Sequence, residues 1–213
     1  MQDLKTRILD IATEEFAAHG FQGVRVERIA ERAACSTRML YKYYGDKRVL
    51  YVTVLERAYA DLRHRDLQIG ELKADPIAAV TTLVDWTFDY MNRHREFVLL
   101  TRNENLLEGK FISLSQRLSK ANDQLIRLLR RILTRGARDG IFLAGIDPLQ
   151  LYVSIVALSV HHIANAHTLS KAFQRNLAGA DWIRSRRRHV RQLILGGILR
   201  SATAPQNPRG GRL

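Results

Sequence analysis

"CSTRMLYKYY", residues 35–44, opens on a cysteine and a serine and then packs three tyrosines, an arginine and a lysine into eight positions. Ser36 is a competent helix N-cap, because its hydroxyl accepts from a backbone N–H left open in the first turn. Gly45 tolerates the left-handed backbone that closes a helix, so a short helix is predicted over 37–44. Tyr41, Tyr43 and Tyr44 cannot all hide in the core of a small helical domain, so part of this helix faces outward.

Upstream, "VERIAERAA" (26–34) places Val26, Ile29, Ala30 and Ala33 on one face at helical spacing. A tight turn near Ala34–Ser36 joins it to the tyrosine helix. Two short helices about such a turn, the second presenting polar and aromatic groups, form a helix-turn-helix layout. "LKTRILDIATEEFAAHG" (4–20) supplies a helix ahead of the pair, with Leu4, Ile8, Ile11, Ala12, Phe16 and Ala17 inward and Gly20 as its stop. Asp46 caps a fourth helix that begins at Lys47 and runs through "RVLYVTVLERAYADLRHR" (48–65).

The remainder also reads as helix, with almost no strand signal. Asp75–Pro76 and Asp147–Pro148 each pair a capping carboxylate with a proline at the first helical position. They open "PIAAVTTLVDWTFDYMNRH" and "PLQLYVSIVALSVHHIANAHTLSKAF", the latter read as one helix through 173. Between them "SLSQRLSKANDQLIRLLRRILTRGARDG" is amphipathic, and Asp181 begins a last helix, "WIRSRRRHVRQLILGGILR". The tail 201–213, "SATAPQNPRGGRL", has the Pro/Gly-rich composition of a disordered end. No internal repeat is found.

The net charge of +13 favours an anionic partner, yet it is unevenly placed. Residues 1–64 carry 11 Lys/Arg against 9 Asp/Glu, but within 25–48 the count is 7 to 3. A single cysteine excludes a disulfide framework and a cysteine-rich zinc site. The amphipathic, charged start and the lack of a long apolar run predict a soluble cytoplasmic protein without signal peptide or membrane span. Paired carboxylates, a Ser/His/Asp set and a phosphate-cradling glycine loop are not found, so no enzyme and no cofactor are expected.

The first quarter of the chain resembles the N-terminal domain of the TetR/AcrR family of bacterial transcriptional regulators. The family pattern runs roughly "IL.AA..LF...G", then "IA..AGVS...LY.HF..K..L". This chain supplies Ile8–Leu9, Phe16, Gly20, Ile29–Ala30, Ala33, Ser36, Leu40–Tyr41, Tyr43–Tyr44, Lys47 and Leu50 in register. It departs at Arg25, where many relatives have Thr, at Ala34–Cys35 in place of Gly-Val, and at Arg38, where a small residue is common. In the second half "WTFDYMNRHREF", "ENLLEG" and "HTLSKAF" resemble the branch regulating catabolic operons, including pyrimidine-responsive members.

The resemblance implies an all-α protein. A helix-turn-helix DNA-binding domain over 2–62, its motif at about 25–44, would join a larger helical ligand-binding and dimerisation domain over 63–200. It implies a homodimer binding a double-stranded operator and released by a small-molecule effector. An activator of the same fold and a nonspecific basic DNA-binding protein are the alternatives. Arg25, Ser36, Thr37, Arg38, Tyr41, Lys42, Tyr43 and Lys47 become the candidate DNA contacts. Arg38 is placed to read guanine, the tyrosines to meet phosphates, and Lys47 to add charge to a helix N-terminus. Candidate ligand-pocket residues are Trp86, Phe88, Tyr90, Asn103, Glu104, His162 and Asn165. His161, His162 and His167 have no carboxylate or cysteine at ligand spacing, so no metal is expected. Cys35 reads as a small apolar turn residue rather than a redox switch. The run "RSRRRHVR" (184–191) reads as the solvated face of a helix that buries Ile183, Val190, Leu193, Ile194 and Leu195 and, as the resemblance implies, joins "LYVSIVALSVHHI" (151–163) in a four-helix dimer seam.

Overall fold

The computed structural model describes residues 3–69 and 75–200, so the expectation for the tail lies outside the described residues. The helices are α1 (Leu4–Gly23), α2 (Val26–Arg32), α3 (Thr37–Tyr44), α4 (Lys47–Ile69), α5 (Pro76–Arg93) and α6 (Arg95–Asn105). After a 3-10 turn (Ile112–Leu114) come α7 (Gln116–Arg138), α8 (Pro148–Ala164), α9 (Ala166–Ala172) and α10 (Ala180–Ile198). Among the described residues the only strand-like pairing is an isolated bridge between Phe142 and Leu199, and no single helix is long and apolar enough to cross a membrane.

Local capping chemistry sets many of the boundaries. Ser36 accepts from Met39 N–H at 3.2 Å, and Asp46 from Val49 N–H at 2.8 Å. Asp75 accepts from Ile77 and Ala78, Asp147 from Leu149 and Gln150, each ahead of its proline. Gly20 (φ 66°) kinks α1 and Gly45 (φ 72°) ends α3.

One break and one further helix differ from the sequence reading. The segment 148–173 is not one helix: it bends by 70° at Asn165, whose side-chain N–H bonds His161 O and competes with the helical ladder. A separate helix, α6, follows α5 because His94 leaves the helical region (φ −110°, ψ 67°) while its Nδ1 lies 2.9 Å from Glu96. On α10 the buried side chains are Val190, Ile194 and Ile198, whereas Leu193, expected inward, points out.

The core of the first domain is not closed by its own helices. Ile8, Phe16, Ile29, Leu40, Leu50 and Tyr51 pack with Leu100 of α6, with Phe111 ahead of the 3-10 turn and with Leu118 of α7. The sequence division at 62/63 falls inside the continuous α4. A second core joins α5, α7, α8 and α10, and a smaller one gathers Leu62, Tyr90, Met91, Phe97 and Val98. The N-terminal helices are thus mounted on the rest through α4 and α6.

Candidate nucleic-acid interface

The turn between α2 and α3 is tightly specified. Ala34 takes φ 51°, the left-handed region that Gly fills without a Cβ clash. Cys35 N–H bonds Ala30 O at 3.0 Å, and Arg7 Nε donates to Ala33 O at 3.0 Å, satisfying a carbonyl at the end of α2. Cys35 packs against the first core, and burial pushes its thiol pKa up against the pull of Arg7, which keeps it in the unreactive protonated form.

The basic residues of this region divide into two groups. Glu15 of α1, almost fully buried, holds Arg28 at 3.1 Å and Arg32 at 2.7 Å, and Arg32 also reaches Glu14 at 2.5 Å. These arginines are spent internally, clamping α2 to α1. Arg25, Arg38 and Lys42 are exposed and form no ion pair among the described residues. On α3, Leu40 and Tyr44 are buried and the Tyr44 hydroxyl donates to Lys5 O at 2.7 Å, fixing the rotation of the helix. That rotation turns Arg38, Lys42, Tyr41 (40% exposed) and Tyr43 (38% exposed) outward, with Thr37 half-buried beside the exposed Ser36. Lys47 is half-buried in the first turn of α4, its ammonium 4.8 Å from the Phe21 ring centroid; burial lowers its pKa while Glu27 opposes. The face therefore presents donors and rings with no internal partner beside a first-turn lysine, which suits a polyanion with base edges in reach.

The candidate pocket residues do not converge. Trp86 donates to Leu62 O at 3.3 Å and Tyr90 to Ala58 O at 2.9 Å, tying α5 to α4. Asn103 donates to Phe16 O and Ala17 O, joining α6 to α1 just before the Gly20 kink. Glu104 is buried and accepts from Phe111 and Ile112 N–H at 2.6 and 2.8 Å, holding the loop after α6. Burial, and then Glu104, push the Tyr51 phenol pKa upward. Asn103 and Glu104 thus stand at the junction of the two halves, away from the others. Phe88 and His162 do meet, stacked at 5.2 Å, and Trp182 lies 5.3 Å from His162 at a tilt of 51°. Asn165 ends α8 nearby.

His162 is 4% exposed, and burial, then Arg186 and His161, lower its pKa to about 4. Between its unfolded and folded values the unfolded chain binds the extra proton, so stability falls as pH drops from about 6.5 to about 4, by up to about 3 kcal/mol. His162→Gln should flatten that part of a urea-denaturation pH profile.

The basic run 184–191 is largely neutralised within the fold. Arg191 makes a two-pronged pair with Asp85 at 2.7 and 3.0 Å, Arg187 reaches Asp85 and Asp89, and Arg184 pairs with Asp181. Sequence reasoning placed the run on a solvated face and missed these pairs, as it missed the Glu15 clamp. Arg184–Asp181 is a local i,i+3 pair, but the carboxylate partners of Arg187 and Arg191 and the arginine partners of Glu15 lie on other helices, and no local spacing signals them.

Residues 8–54 match the family described as bacterial regulatory proteins, tetR family, and residues 76–194 match the tetracyclin repressor-like C-terminal domain. The HTH-type transcriptional repressor NicS of Pseudomonas putida KT2440 is 34% identical over 200 residues, covering 92% of each chain. The HTH-type transcriptional regulator RutR of Escherichia coli K12 is 27% identical over 203 residues, covering 91% of this chain and 90% of its own. Among solved structures, FadR from Bacillus subtilis in complex with stearoyl-CoA shares the fold with a TM-score of 0.68 at 18% identity, covering 90% of this chain and 98% of its own. With the first family match on the helix-turn-helix and the second on more than half the chain, this protein belongs to the TetR family of bacterial transcriptional regulators.

Proposed function

We propose that the protein is a transcriptional repressor that binds a near-palindromic operator as a homodimer, one α3 in each of two successive major grooves, and is released by a small molecule. The observation that carries this is the division of α3 into an anchored face, Leu40 and Tyr44, and a face of Arg38, Tyr41, Lys42 and Tyr43 with no internal work to do. The naming of the 34%-identical relative as a repressor favours repression over activation. Internal pairing of the 184–191 run argues against a nonspecific basic coat.

Two reading heads must stand about 34–36 Å apart to meet successive groove faces. The outward faces of α8 and α10 supply a surface to fix that spacing: Leu149 (54%), Val153 (53%) and Leu193 (48%) are exposed, and the Gly196 and Gly197 positions open onto free space. An effector that shifts the heads apart weakens both half-site contacts together, and operator and effector affinities are linked reciprocally.

The test is binding to DNA from just upstream of its own gene against scrambled DNA at fixed near-physiological salt. The expected preference is about 10³-fold or more; equal binding to both sinks the reading. Val153→Arg should yield a monomer by sedimentation and weaken operator binding about 100-fold or more, because the second half-site then binds without the first. A variant that stays dimeric would remove α8 from the seam.

A further inference from the structure

Where α8 turns into α9 and α10 returns beside them, a cleft of about 470 Å³ opens, walled by His162, Leu169, Phe173, Arg175, Trp182 and Arg186. Its charge is one-sided. Among the described residues no Asp or Glu lines it, although Arg184, Arg187 and Arg191 of α10 are paired with carboxylates. Arg186 makes a single hydrogen bond among the described residues, to Leu158 O at 3.3 Å, and its buried Nε has no partner there. A half-buried guanidinium supplied only with a carbonyl is under-compensated, since a carboxylate fits its planar fork far better. Arg175 is exposed and has no ion pair among the described residues either.

The other walls are flat and apolar. Trp182 faces His162, which stacks on Phe88, while Phe173 and Leu169 come from α9. Asn92 uses its amide N–H on Phe88 O at 2.8 Å, leaving its oxygen 3.3 Å from His162 Nε2. That assigns the ring proton to Nε2 and leaves Nδ1, buried and without a protein partner, as a bare acceptor.

We infer that this cleft binds a small planar aromatic carboxylate, its anionic group on the guanidinium groups of Arg186 and Arg175 and its ring against Trp182. A ring hydroxyl or N–H on such a ligand would complement the free acceptor of His162. The inference rests on the effector-released repressor proposed above for its use, since the cleft lies between α8 and α10, the helices that space the reading heads. A ligand that drew Arg186 inward would act on their packing directly.

The experiment titrates the full-length protein with benzoate, salicylate, benzamide and cyclohexanecarboxylate, following tryptophan fluorescence in a Trp86→Phe background and heat by calorimetry. Benzoate and salicylate should quench Trp182 saturably, salicylate more tightly, with benzamide and cyclohexanecarboxylate weaker by about tenfold or more. Arg186→Gln should weaken salicylate by about tenfold or more. Arg175→Gln, at an exposed position that cannot unfold the core, should weaken it severalfold. No saturable aromatic carboxylate binding up to about 10 mM overturns the inference, as does binding unchanged in Arg175→Gln and in folded Arg186→Gln. Operator binding is measured on the same samples. Selective DNA binding without carboxylate binding leaves the repressor and removes this site, whereas carboxylate binding without selective DNA binding leaves the site and removes the repressor.

Discussion

Phe142→Ala should destabilise the protein by about 3–5 kcal/mol, the range for deleting a fully buried aromatic ring, and lower its melting temperature by about 10 °C. Phe142 is 1% exposed and lies over Gly136 near the end of α7, in contact so close that any side chain at 136 would enter the ring's van der Waals envelope. Around it the chain closes on itself. Phe142 N–H bonds Gly136 O at 3.0 Å, Leu143 N–H bonds Ile198 O at 2.8 Å, and Arg200 N–H bonds Ile141 O at 2.9 Å. The ring therefore pins the end of α10 against the α7–α8 connection, and with it the α8–α10 surface assigned to the dimer. Gly136→Ala should also destabilise, through overpacking, by about 1–3 kcal/mol. The double variant should lose less than the sum of the two, because the added methyl enters space the ring has left. Calorimetry of the three variants checks this, and strict additivity would refute the ring-over-glycine account.

Glu15→Ala should loosen the DNA-reading head by about 2–3 kcal/mol in urea denaturation, at the upper end of what a charge-assisted hydrogen-bond pair contributes. The carboxylate is buried and receives both Arg28 and Arg32, so its loss leaves Arg28 without this partner and Arg32 with Glu14 alone, and loosens the joint between α2 and α1. Both arginines reach solvent and rehydrate, which keeps the cost below that of a fully buried pair. Because α3 hangs from α2 through the Ala34 turn, operator affinity should fall with stability even though Glu15 is buried away from the surface. Glu15→Gln, which preserves shape and two acceptor sites, should lose about half as much. A Glu15→Ala protein as stable as the parent would show that the clamp contributes nothing.

The helix-turn-helix was legible because its signals are local. Ser36 as cap, Gly45 as stop and the apolar spacing in 26–33 each act within one or two turns, and α3 spans the predicted 37–44. Asp-Pro at 75–76 and 147–148 marked two further helix starts for the same reason. The end of α5 was read at His94, but α6 beyond it and the break at Asn165 were not legible, since neither place has Gly or Pro and Asn165 ends its helix through a side-chain hydrogen bond. The pocket residues were harder still. An aromatic or amide at helical spacing looks alike whether it lines a cavity or binds a carbonyl on another helix, as Trp86, Tyr90 and Asn103 do. Trp182 and Arg186, on the cleft, sat within or beside a basic run whose charge concealed them.

The central claim is that the outward face of α3 reads DNA, and Arg38→Ala tests it most directly. With operator and scrambled DNA compared at several salt concentrations, the variant should keep its helical content and lose about 1–3 kcal/mol of discrimination at one base position in each half-site. Lys42→Ala alongside it should weaken both DNAs alike and reduce the salt slope by about one counterion per subunit. If Arg38→Ala and Lys42→Ala bind operator and scrambled DNA as the parent does, α3 is not the reading helix.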